Sequence, residues 1–161
     1  MKDNVDRVLE QWHAERPDID PAPMGVIGRI QRATRLLDRG LQREFSEHGL
    51  QLWEFDILAT LRRAGAMTAG ALVGASMVTS GAITNRIDRL VARELVTREV
   101  DPANRRSVLI DLTDQGRELI DRIVVDHVAN EKRLLESLSG AQQKQLAGLL
   151  RTLLIGLGDA P

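Results

Sequence analysis

Between Glu94 and Thr113 the hydrophobic pattern of this chain changes period, and that change limits the possible folds more than any other feature. The runs LVTREV (95–100) and SVLIDL (107–112) have the β-branched, alternating character of strands. The segment DPANRR (101–106) between them combines Asp, Pro and Asn, which favour turns. Two strands about a polar turn predict a β-hairpin. Just before it, the spacing predicts a short helix over about Thr68–Gly74, with Thr68 as N-cap. A second helix is expected over about Thr79–Arg93, and GASMV between the two has the length of a helix-turn-helix turn. Helix, turn, helix and hairpin in this order predict a winged helix-turn-helix.

The rest of the chain reads as helix. Val5, Val8, Leu9 and Trp12 form one apolar stripe within residues 3–16, which the Pro- and Asp-rich RPDIDPAP (16–23) ends. A long helix follows from Met24 to about Glu47, carrying Ile27, Ile30, Leu37, Leu41 and Phe45. A third is expected over 52–63. Thr113 opens a helix to about Leu138, and Ser139 with Gln142 makes a capping box for a last, leucine-rich helix. The fold class is therefore mainly α with a small β-wing. At 161 residues the chain is expected to form a single domain. Its outer helices, in 1–48 and 113–161, carry apolar stripes that the small central unit (50–112) cannot cover. A second copy is the natural cover, which predicts a homodimer.

Composition narrows the function. Hydrophobic residues at 43% and charged residues at 28% are ordinary for a globular protein. The absence of Cys excludes disulfides, zinc-thiolate sites and thiol redox sensing. No apolar run is long enough to cross a bilayer and the acidic start does not resemble a secretory signal, so a cytoplasmic protein with no membrane partner is expected. Net charge is −1, but residues 79–106 carry six Arg against four acidic groups. His13, His48 and His127 lack metal-ligand spacing, and neither a phosphate-binding Gly loop nor a nucleophile elbow is present. No catalytic site, cofactor or metal is expected.

On the helix from Thr79, Ile83, Ile87, Leu90 and Val91 share a face. The opposite side presents Gly81, Ala82, Asn85, Asp88 and Arg89, flanked by Thr84 and Arg86. A helix in the major groove needs this division. Thr79, Ser80 and Thr84 suit phosphate, while Asn pairs with adenine and Arg with guanine. Asp88 opposes phosphate and is expected to pair with a neighbouring Arg. Arg105 and Arg106 are expected at the hairpin tip, suited to the minor groove, with Asp101 holding one of them by a bidentate pair. Elsewhere, Asp56 and Arg63 lie seven residues apart on one face of the third helix. Trp12 ends the first stripe and Arg98 lies at the foot of the wing. Spacing alone does not bring these four residues together.

The run SGAITNRIDRLVARELVTREVDPANRRSVLIDLTDQG (80–116) resembles the MarR family of dimeric winged-helix transcription regulators. The likeness lies in N-R-I-D-R-L, an L-V-x-R strand, D-x-x-x-R-R at the wing and L-T-x-x-G opening the next helix. It implies ligand-responsive binding to double-stranded DNA, usually as a repressor. The N-terminal EQWHAERPD is similar to the urate-responsive branch, the PecS and HucR group, whose effector residues match Trp12, Asp56, Arg63 and Arg98. The resemblance implies a small anionic effector, a urate-like purine. Arg63 and Arg98 would take its charge, Trp12 would close the pocket, and Asp56, repelled, would move its helix. A carboxylate such as aconitate or citrate would suit the same residues. The competing reading is a winged-helix protein-interaction module without DNA binding, favoured by the near-neutral charge and Asp88. Asn85, Arg89, Arg105 and Arg106 argue against it.

Overall fold

Local capping sets the ends of most helices. In a computed structural model, which describes residues 1–75 and 83–159, Asp3 caps α1 (Asn4–Glu15), accepting from the backbone N–H of Val5 and Asp6. After the Pro-rich break comes α2 (Ala22–Glu47), then α3 (Leu52–Ala64). Next are β1 (Met67–Thr68), α4 (Ala69–Ala75), α5 (Ile83–Ala92), β2 (Val96–Asp101) and β3 (Asn104–Leu112). Thr113 caps α6 (Asp114–Leu134) through the Gly116 N–H, and the Ser139–Gln142 capping box opens α7 (Gly140–Gly156). Helices thus dominate, with one small antiparallel sheet, as the periodicity predicts. No described helix is long and apolar enough to cross a membrane.

Two features differ from the expectation. The sheet has three strands, in the order β1-β3-β2, because Met67 and Thr68 pair with Ile110 and Leu109. Thr68 still caps α4, its Oγ1 accepting from the Ala71 N–H at 3.2 Å. The hairpin is also tighter, since only Pro102 and Ala103 separate its strands. Asp101 and Asn104 pair across the end of the ladder. Their side chains fold back locally, Asp101 accepting from Ala103 N–H at 2.8 Å and Asn104 from Arg106 N–H at 3.2 Å. Arg105 and Arg106 therefore stand in the first residues of β3, and Asp101 holds the turn instead of an arginine.

The chain forms two compact units, Met1–Arg43 and Glu44 to the end of the described residues. In the first, α1 meets α2 at small residues. A Cβ on Gly25 would lie 3.1 Å from Leu9 Cδ1, and one on Gly28 would lie 3.5 Å from Val5 Cγ1. Arg29 reaches from α2 to Asp3 and Asp6.

The core of the second unit gathers Leu58 and Leu61 of α3, Leu72 of α4, Ile87 and Leu90 of α5, Val96, Ile110 and Leu112 of the sheet, and Ile120 and Ile123 of α6. The corner between α5 and β2 is built from backbone. Glu94 takes the left-handed conformation (φ 58°) usually given to glycine after a helix, and Leu95 N–H donates to Leu90 O at 3.0 Å. Thr113 binds the same corner, its hydroxyl to Glu94 O at 2.7 Å and its N–H to Leu95 O at 3.1 Å. Gly116 lets α6 approach, since a Cβ there would fall 2.0 Å from Leu95 O. The wing and the start of α6 are thus fixed to the end of α5.

Candidate nucleic-acid interface and effector residues

Ile87 and Leu90 anchor α5 in the core, so its Thr84, Asn85, Asp88 and Arg89 are exposed on the outer side. Each flank of that surface is tied down. On the wing flank, Arg98 Nη1 lies 2.6 Å from Asp88 Oδ1, and its Nη2 donates to Thr84 O at 3.4 Å. Asp88 thus has the arginine partner expected of it, and the charge facing a phosphate is reduced. This exposed pair is worth ~0–1 kcal/mol, so it orients more than it stabilises.

The α3 flank is built differently. Arg86, Arg89 and Arg93 lie three and four residues apart, a stripe along one side of α5. The guanidinium carbons of Arg86 and Arg89 lie 5.4 and 5.3 Å from the centroid of Trp53. Arg93 Nη1 donates to Glu54 Oε1 at 2.7 Å, and its Nη2 to Gly49 O at 3.3 Å. Glu54, only 4% exposed, uses its other oxygen to accept from the Gln51 N–H at the start of α3. One buried carboxylate therefore caps one helix and holds the end of the other. Arg89, Arg93, Glu54 and Gln51 border an open cleft of about 500 Å³ with Ser46 and Leu50.

Of the residues expected to meet DNA, Thr84, Asn85, Arg86 and Arg89 lie on α5, and Arg105 and Arg106 are exposed on the wing. Thr79 and Ser80 lie outside the described residues. Among the expected effector residues, Trp12 is on α1 in the first unit and is 40% exposed. Asp56, Arg63 and Arg98 belong to the second unit. Arg63 Nη2 donates to Ala75 O at the end of α4 (2.9 Å), and Arg98 is engaged with Asp88. Trp53, Glu54 and Arg93 were not singled out by sequence. The arginine stripe was readable, but its partners lie more than thirty residues away.

This arrangement has close relatives. Residues 50–108 match the MarR family. The chain is 43% identical over 149 residues to the HTH-type transcriptional regulator PecS of Dickeya dadantii, covering 91% of this chain and 90% of that protein. The chain belongs to the MarR family of transcriptional regulators. Solved MarR-type structures overlie it. Bordetella bronchiseptica BpsR, whose DNA binding is regulated by 6-hydroxynicotinic acid, matches with a TM-score of 0.74 at 29% identity, over 84% of this chain and 94% of its own. A Cys-to-Ser variant of Escherichia coli MarR in complex with operator DNA matches with a TM-score of 0.73 at 26% identity, over 89% and 97%. As a MarR-family protein the chain is a regulator and not an enzyme.

Proposed function

We propose that this MarR-family chain is a repressor that binds a palindromic operator as a homodimer in the cytoplasm and is released by a small anion. The observation that carries the reading is α5, a short helix with a polar outer surface, tied on both flanks and followed at once by a wing bearing Arg105 and Arg106. Asn85, Arg86 and Arg89 are assigned to the major groove with Thr84 on phosphate, and the wing arginines to the minor groove. Thr79 and Ser80, which precede α5 in the sequence, are assigned to phosphate. In a dimer the two reading helices would lie one DNA turn apart, ~34–36 Å. Residues 1–48 and 113–161 would join the copies and 50–112 would bind DNA.

The effector is assigned to a planar, oxygenated heterocyclic anion, a urate-like purine. The resemblance of Trp12, Asp56, Arg63 and Arg98 to the urate-responsive branch supports this, and so does the BpsR effector, a hydroxylated heterocyclic carboxylate. That carboxylate keeps aconitate and citrate as the second choice. Arg63, Asp56, Trp12 and Arg98 are assigned to the effector, and Arg98 supplies a route to DNA. An anion that drew Arg98 away would free Asp88 and Thr84 O, loosening the wing flank of α5. A coupling of ~1–3 kcal/mol would change operator affinity ~5–150-fold.

The test is anisotropy titration of a duplex enriched by the protein from a random-sequence pool, with and without urate, 6-hydroxynicotinate, citrate or aconitate. Binding that weakens with salt and with one of these anions is expected. Arg63→Ala should keep the DNA affinity and lose the anion response. Retained release in that variant would reject the effector assignment, and no duplex enrichment at all would reject DNA binding.

A further inference from the structure

Trp53 carries two guanidinium groups on one indole, at 5.4 and 5.3 Å. Like charges repel, so two arginines share a ring only where its negative face attracts both. Each guanidinium lies over the indole ring, so the contact is with the π cloud and uses no N–H as a hydrogen bond would. The N–H donors lie in the guanidinium plane and remain free to grip a phosphate or a guanine edge with two prongs. The contact thus removes rotamer freedom that DNA binding would otherwise have to remove. The ring is itself oriented, since Trp53 Nε1–H donates to Gln51 Oε1. Gln51 N–H donates to Glu54, and Glu54 accepts from Arg93 on the same stripe of α5. The first turn of α3 therefore fixes both the platform and the helix that leans on it.

We propose that Trp53 is a positioning residue for operator binding, holding Arg86 and Arg89 in place over its ring while not itself contacting DNA. The inference rests on the assignment of those two arginines to DNA made above. It gives a half-buried tryptophan on α3 a share in the affinity of α5.

A double-mutant cycle on the full chain tests it, using the enriched duplex as probe and thermal unfolding as a check on folding. Trp53→Leu is expected to weaken binding roughly three- to tenfold, and Trp53→Phe, which keeps an aromatic face, to restore most of it. The salt slope should not change with Trp53→Leu, because no positive charge is removed, but should become shallower with Arg86→Ala/Arg89→Ala, which removes two. In that arginine-free background Trp53→Leu should have no further effect. An equal loss in both backgrounds, or a Phe variant as weak as the Leu variant, would overturn the proposal. If the arginine pair matters and Trp53→Leu does nothing, this inference alone fails. If removing both arginines leaves affinity unchanged, their assignment to DNA fails and Trp53 has nothing to position.

Discussion

The winged lobe and helix α7 solve the problem of burial in opposite ways. Within the lobe, α3, α4, α5 and the sheet each bury at least one large apolar side chain against the others, and Leu58, Leu72, Ile87 and Leu90 are all fully enclosed. Helix α7 buries none of its residues. Its Leu149 and its C-cap Leu157 are 63% and 74% exposed, and Leu146, Leu153, Leu154 and Ile155 are uncovered beside them. A DNA-reading unit has to hold its shape before it meets DNA, so its core is closed within one chain. A helix with this much exposed apolar surface marks an interaction face. The difference supports the homodimer proposed above and says which face should form it.

The largest test of that difference is to charge the open face. Leu149→Glu/Leu157→Glu is expected to cost about 3–6 kcal/mol per protomer of burial if a second copy covers both leucines. Sedimentation velocity should then show monomers where the parent chain is dimeric. The protomer's circular dichroism should be preserved, because these side chains touch little within it. A parent chain that sediments as a monomer would remove the reason for the contrast.

Next comes the closed core. Leu90→Ala should destabilise the lobe by about 2–5 kcal/mol in a denaturant titration, with oligomeric state preserved at low denaturant. A loss under 1 kcal/mol would mean that the lobe's core is less tightly packed than its burial indicates.

The glycines sharpen the comparison further. At Gly116 a Cβ would collide with the backbone oxygen of Leu95, so Gly116→Ala should cost about 1–3 kcal/mol and shift the wing. On α7, nothing lies within 4 Å of a Cβ at Gly148. Gly148→Ala should instead stabilise by up to about 1 kcal/mol through helix propensity. A destabilisation there, read by thermal unfolding across protein concentrations, would show that the partner copy approaches α7 closely at this point.

These contrasts also mark what was legible in the sequence. Helices with long apolar stripes were readable because their signal repeats every turn, as were the Thr113 cap and the Ser139–Gln142 box, which act within one turn. β1 was not readable, since two residues show no alternation and its partner is Ile110. The wing tip is shorter than its DPANRR segment suggests because Asp101 and Asn104 carry turn-forming side chains while their backbones stay in the ladder. Of the candidate site, the polar surface of α5 followed from periodicity, and a partner for Asp88 was expected from its charge. That Arg98 supplies it, and that Trp53 receives Arg86 and Arg89, depends on tertiary packing that no spacing encodes. The placing of Asp56, Arg63 and Trp12 around one effector came from family likeness alone.

The smallest expected effect concerns the first unit, where Arg29 of α2 adds a polar tie to Asp3 and Asp6 beside the apolar contacts of Val5 and Leu9. The Asp6 N–H, followed by Arg29 and the Val5 N–H, holds the Asp3 carboxyl below the usual carboxylate range. A carboxyl whose value is lowered in the folded state lends stability that is complete above its unfolded value and is lost as pH falls through the lowered one. The cap on α1 and the link to Arg29 should therefore be intact at neutral pH and weaken only below the ordinary Asp range. Asp3→Ala should remove that dependence at all pH values. Hydrogen exchange at the Asp6 amide follows it directly, because that N–H is the one the carboxylate accepts. Faster exchange of this amide in the Asp3→Ala chain, with the Leu90 amide unchanged, would confirm that the polar tie opens independently of the lobe. If the two amides respond together, α1 and the lobe open as one cooperative unit, and the division of the chain into two units has no energetic counterpart.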